Sequence, residues 1–226
     1  MHSLAVVIDA LPSILSGSFI TLGIVFGALA IGLVLGLILA ILQVYGKAWQ
    51  RALVHVYIWF FRGFPILVLL FLGYGLFVAL SLPVQPFLIS CVVLGLTSTA
   101  YQSQIFRGAI LSLRPGQMQA ARALGMKDSQ AIRSIVIPQA LRLSIPGWSN
   151  EYSILLKDSA ICFVLGTQDI MARTAFAAAR THEHLALYAC AGVIYFVLTL
   201  VIVRLLAKLE KRLHIPGYTS VSGEAL

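Results

Sequence analysis

Residues 107–142 read RGAILSLRPGQMQAARALGMKDSQAIRSIVIPQALR and carry six cations, Arg107, Arg114, Arg122, Lys127, Arg133 and Arg142, against one acid, Asp128. On either side the chain is apolar for more than the thickness of a bilayer. A cationic stretch between two such blocks belongs on one face of a membrane, where it can meet a soluble partner.

The composition agrees. The chain has 226 residues, 60% hydrophobic and 11% charged, with a mean hydropathy of +0.95. A soluble domain of this size could not hide so much apolar surface, whereas lipid accepts it. The net charge of +8 does not indicate nucleic acid, because the cations lie beside apolar spans instead of along one soluble face. Cys91, Cys162 and Cys190 sit inside apolar runs with no metal spacing and read as buried, inert thiols. The N-terminus has no Lys or Arg before its apolar stretch, so it lacks the basic start of a signal peptide and is expected to be retained. Residues 3–12 read as a short interfacial piece ending at Pro12.

Five transmembrane helices fit, at about 18–43, 53–80, 87–106, 145–166 and 185–206. Gly23, Gly27, Gly32 and Gly36 in the first allow a neighbouring helix to approach closely. Tyr57, Trp59 and Arg62 read as interfacial anchors of the second, which Pro65 should kink; Pro83 and Pro86 mark the turn after it. Placing 44–52, 107–142 and the C-terminal tail together gathers eleven cations on one side and leaves Arg173 and Arg180 on the other. The positive-inside bias then puts 107–142 and the C-terminus in the cytoplasm and the N-terminus outside.

The cytoplasmic segment has helical punctuation. Pro115-Gly116 breaks the chain, Gln117, Met118, Gln119, Ala120, Ala121, Arg122, Ala123 and Leu124 favour helix, and Gly125 can cap it. Met118, Ala121 and Leu124 form a narrow apolar stripe that could enter a groove. Asp128 can N-cap a second helix, Ser129 to Val136, which Pro138 closes.

This block, continuing through Asn150 and LLKDSAI at 155–161, resembles the cytoplasmic loop of permease subunits from bacterial ATP-binding-cassette importers of the polar amino acid uptake group. The resemblance rests on AARALG ending at Gly125, PQALR at 138–142 and LLKD at 155–158. It implies an all-α integral membrane fold in one domain, 1–226, with 107–142 as the coupling loop. It also implies partners: two copies of an ATPase subunit that bind ATP and magnesium, a second permease subunit, identical or homologous, and an extracytoplasmic binding protein that delivers an amino acid. The helix at 117–125 would dock in a cleft of the ATPase. The family usually has Glu where this chain has Gln119, and often an acid near Gln104, so no carboxylate is expected at the first contact. The chain itself has no G-x-x-x-x-G-K-[ST] loop and no G-x-S-x-G nucleophile, and its energy source must be a partner.

Polar groups inside spans are costly, about 2.5–3.5 kcal/mol for an ionised group at mid-membrane. Glu151, Leu155 and Asp158 share one face of the fourth span, and Asn150, Ile154 and Lys157 the adjoining face. Lys157 and Asp158 could pair structurally, or Glu151 could face a solute pathway and meet the solute's ammonium group. Thr97, Ser98, Thr99, Tyr101, Gln102 and Gln104 could be interfacial or could line the same route. His182-Glu183-His184 lacks metal spacing and reads as interfacial. The competing functions are an ATP-independent channel or ion-coupled carrier, which would not need the 117–136 helix pair, and a membrane sensor using that pair only to recruit a partner.

Overall fold

The computed structural model describes residues 2–83, 85–114 and 116–213. The first helix, α1 (His2–Tyr45), runs for 44 residues, or about 66 Å at ~1.5 Å per residue. Residues 3–12 therefore do not form a separate piece, and Pro12 lies inside the helix. The lost backbone bond is offset by packing on both sides of it. Ala10 and Ile14 are buried against Ile170, Ala178, Leu187 and Ala191.

Over the expected second span the chain forms two helices, α2 (Ala48–Gly63) and α3 (Ile66–Ala79), bent by 109° at Phe64-Pro65. Phe64 is extended (φ −96°, ψ 140°) because the ring of a following proline excludes the helical region. The Tyr57 hydroxyl donates to the Leu96 carbonyl of α4 (Pro86–Leu111) at 2.7 Å, tying α2 to the bundle. Arg62 lies over the Tyr101 ring, 5.0 Å from its centre.

α1 and α4 form the closest pair, and the glycines of α1 are the reason. A Cβ at Gly27 would stand 3.2 Å from Cys91 Sγ, and one at Gly36 would stand 3.1 Å from the Ser103 amide nitrogen. At Gly32 it would strike the Gln102 amide. The expected glycine stripe is thus the α4 contact surface.

The chain then enters α5 (Gly116–Ala123) and α6 (Asp128–Ala131). Pro138 does not close the second helix. A π turn, Ile132–Val136, leads into α7 (Ile137–Leu143), with the Ile137 N–H bonded to the Ile132 carbonyl five residues back. Widening the helix by one residue accommodates a proline that has no N–H to give. After Ser144 the path resumes as α8 (Ile145–Asp158), tightens to a 3₁₀ turn at Ser159–Leu165, and ends at Gly166 with φ +93°.

Two elements complete the bundle, α9 (Ile170–Thr181) and α10 (His184–Leu213). The sequence reading missed α9; Asp169 caps it, accepting from the Ala172 N–H at 2.8 Å. His182 turns the chain between the two in the left-handed region (φ 61°). Among the described residues, α1 and α10 are long and apolar enough to cross a membrane by themselves, and the α2–α3 pair makes a third if it is one span. α4 is long enough but polar along its second half, where Thr97, Ser98, Thr99, Gln102 and Ser103 are buried. α8 reaches span length only with its 3₁₀ extension. The central core joins Ile24, Ala28 and Leu29 of α1 to Leu70, Ile89, Leu94, Tyr152 and Leu156.

Candidate functional site

The 107–142 segment folds into a compact turn. α5 ends in a Schellman motif: the Met126 N–H bonds to the Ala121 carbonyl and the Gly125 N–H to the Arg122 carbonyl, with Gly125 at φ +79°. Asp128 is the first residue of α6, not its cap. Lys127 holds the N-cap position, and its N–H bonds to the Gln130 side chain at 2.9 Å. The Asp128 carboxylate instead receives Arg122 through both oxygens, at 2.8 and 3.0 Å, clamping α5 to α6 across the glycine. That double hydrogen bond holds the Asp128 carboxyl below its ordinary pKa. Gln117 and Gln139 exchange amide bonds at 2.9 and 2.8 Å, tying α5 to α7.

The expected apolar stripe does not face one way. Ala121 is 1% exposed, and Met118 packs on the cluster of Phe106, Ala109, Ile110 and Val136, while Leu124 is 83% exposed. The outward surface is therefore Gln119, Ala120, Ala123 and Leu124, beside Arg122. A helix turns by about 100° per residue, so residues three apart drift around the axis, and this short helix rests its first turn on the bundle.

Within the bundle a second arrangement joins α4 to α8. The Trp148 indole donates to Gln102 Oε1 at 2.6 Å. Gln102 Nε2 donates to Ser98 Oγ at 3.0 Å and to the Leu29 carbonyl at 3.2 Å. Ser98 then donates to Glu151 Oε1 at 2.6 Å. The bonds Trp148 to Gln102, Gln102 to Ser98 and Ser98 to Glu151 run in one direction, toward the carboxylate, so each polarises the next, while the bond to Leu29 branches off to α1. Glu151 is 4% exposed. Thr97 is also buried and bonds back to the Val93 carbonyl. α8 exposes Asn150, Ile154 and Lys157, with Asp158 half-buried beside them. The two expected faces of α8 thus separate, one inward and one outward. Sequence reasoning did not connect Trp148 to Gln102; the available signal was an indole N–H at membrane depth, which needs an acceptor. Among the described residues no group of His, Cys, Asp or Glu is arranged to hold a metal.

A membrane-embedded helical bundle with a rigid polar turn on one face defines a class, and the comparisons place the chain in it. Residues 32–215 match the family described as the binding-protein-dependent transport system inner membrane component, and the chain belongs to that family. It is a multi-pass inner-membrane transport component and not itself an enzyme. It is 35% identical to the arginine transport system permease protein ArtQ of Bacillus subtilis over 91% of this chain and 94% of that protein. Against the glutamine transport system permease protein GlnP of Escherichia coli K12 the identity is 32%, over 91% and 95%. The crystal structure of an amino acid ABC transporter with histidines superposes with a TM-score of 0.81 at 33% identity, over 91% of this chain and 96% of that one. An inward-facing methionine ABC transporter, MetNI, shares the fold at 18% identity, with a TM-score of 0.75 over 93% and 97%.

Proposed function

We propose that this chain is one of two permease subunits of an ATP-driven amino acid importer, with five spans, its N-terminus outside and its C-terminus in the cytoplasm. Two ATPase subunits, which bind ATP and magnesium, dock on the turn formed by Gln117, Met118, Gln119, Ala120, Ala121, Arg122, Ala123, Leu124 and Gly125. An extracytoplasmic binding protein supplies the solute. One observation supports this reading above the others: the Arg122–Asp128 clamp and the Gly125 cap make the exposed turn stiff, as a surface that transmits force must be.

The solute route follows the outward face of α8. Asn150 and Lys157 are too polar to face lipid, so they face the second permease subunit or the water between the two. Asp158 borders that face. Thr97, Gln102 and Glu151 form the wall behind it, and Glu151 reaches the route only when α4 and α8 separate.

The test is uptake of radiolabelled amino acids into vesicles. Permease with ATPase and binding protein should accumulate solute when ATP is inside, and permease alone should not. Accumulation by the permease alone would establish the ATP-independent carrier instead.

A further inference from the structure

Near the cytoplasmic end of the bundle, an apolar groove of about 190 Å³ opens between four segments. Leu33 of α1, Phe106 of α4, Leu141 and Ile145 on the path into α8, and Leu206 and Leu209 of α10 line it. Its lining is almost wholly apolar, and apolar walls give water no partners, so hydrocarbon suits it better than water does.

Cations stand at one end of this groove. Arg142 is one turn before Ile145 on the same helical stripe, and Arg212 is one turn beyond Leu209 on α10. The two helices run in opposite directions, since Tyr152 meets Leu198 while Ile145 shares the groove with Leu209, so both arginines fall at the same end. On the orientation proposed above, that end is cytoplasmic. Both are exposed, and neither pairs with an acid among the described residues. An apolar slot with guanidinium groups at its mouth matches a lipid tail joined to a phosphate, and basic pockets between helices on the cytoplasmic side take such headgroups.

We propose that this groove holds an acyl chain of an anionic phospholipid from the cytoplasmic leaflet, with its phosphate between Arg142 and Arg212. The inference rests on the orientation proposed above.

The experiment follows the melting temperature of the purified transporter complex in detergent during titration with phosphatidylglycerol, phosphatidylcholine or soluble glycerol phosphate. Phosphatidylglycerol should raise it at the lowest concentration and glycerol phosphate should not raise it at all. Arg142→Gln with Arg212→Gln should weaken the phosphatidylglycerol effect roughly 30-fold, from about 1 kcal/mol per cation at ~1.4 kcal/mol per tenfold. Leu209→Trp, at an exposed position, should fill the groove and abolish the effect with every charge in place. Equal stabilisation by phosphatidylcholine, a response to glycerol phosphate, or unchanged affinity in these variants would overturn the site. So would a disulfide between two Leu209→Cys subunits, which would give the groove to the second permease. Ser129→Cys labelling separates the two readings. Labelling from outside overturns the orientation and the leaflet with it; labelling from inside without a phosphatidylglycerol preference overturns the lipid site alone.

Discussion

Two carboxylates in this protein each receive a short hydrogen bond, and their surroundings make them different devices. Glu151 takes 2.6 Å from a neutral serine inside the bundle; Asp128 takes 2.8 and 3.0 Å from an arginine in water. The first belongs to a chain of donors in a low-dielectric interior, where a broken link strands buried groups. The second is a charged pair that solvent screens, so it shapes a turn with little stabilisation. Burial, more than the strength of the individual bond, decides what removing a partner costs.

The comparison breaks most visibly at Gln102. Gln102→Leu leaves the Trp148 N–H without its acceptor and removes the added bonds to Ser98 Oγ and the Leu29 carbonyl, and should destabilise the protein by about 1–3 kcal/mol, the cost of one stranded group. Gly32→Ala should give a similar loss by pushing the same amide aside. Denaturant titration in mixed micelles measures both, and wild-type midpoints would mean the buried chain is not structural.

Next comes the cap of the exposed turn. Gly125→Val forces a branched residue into the left-handed region at about 1–2 kcal/mol, so uptake should collapse while membrane abundance stays near wild type. Leu124→Glu tests docking without touching the fold, because that side chain is exposed. Ala121→Glu would not, since Ala121 is buried against its own chain. ATPase retained on the purified permease, together with normal uptake, in both Gly125→Val and Leu124→Glu would show that the turn is not the docking surface.

A smaller effect sharpens the interior half of the comparison. Glu151→Gln keeps an acceptor for Ser98 and should change stability by less than about 1 kcal/mol, within the ordinary net worth of one such bond, whereas Glu151→Leu should behave more like Gln102→Leu. If Gln and Leu at this position are equally harmful, the negative charge itself is what the site requires, and transport assays become the deciding readout.

Smallest of all is Asp128→Asn, which should leave the neutral-pH melting temperature unchanged within error. Because Arg122 holds the folded carboxyl below its ordinary value, the folded state binds that proton less readily than the unfolded chain. Any contribution of the pair is therefore complete above the unfolded pKa of ~4 and is lost as pH falls through the lower folded value. A melting difference between wild type and variant at pH 7 that persists unchanged at pH 3 would contradict this assignment.

What the sequence displays depends on how local the cause is. The helix before Gly125, the glycine cap and the break at Pro65 arise from a few adjacent residues, and each is legible. The two faces of α8 are legible too, since spacing alone separates Asn150 and Lys157 from Glu151. The passage through Pro138, the continuity of α1 through Pro12 and the existence of α9 are not. Each depends on a partner far along the chain: α1 persists because Ala10 and Ile14 meet α9 and α10. The direction of the α5 stripe is hidden for the same reason, because Met118 finds Phe106 and Ala109 only once α4 is in place.

α1 touches both ends of the molecule. Ala10 packs at one end with α9 and α10, and Ala40 at the other with Phe106, Val136 and Ala140 beside the exposed α5–α6 turn. About 45 Å of unbroken helix separates those two points. Such a lever needs no relay of side chains: a rocking of roughly 5° about its middle shifts one end by ~4 Å relative to the other on that length. Spin labels at the exposed Leu15 and Leu35 should then hold a constant separation through the transport cycle while each moves against α9. On the function proposed above, leverage along one stiff helix would carry movement from the end that meets the ATPase to the opposite one.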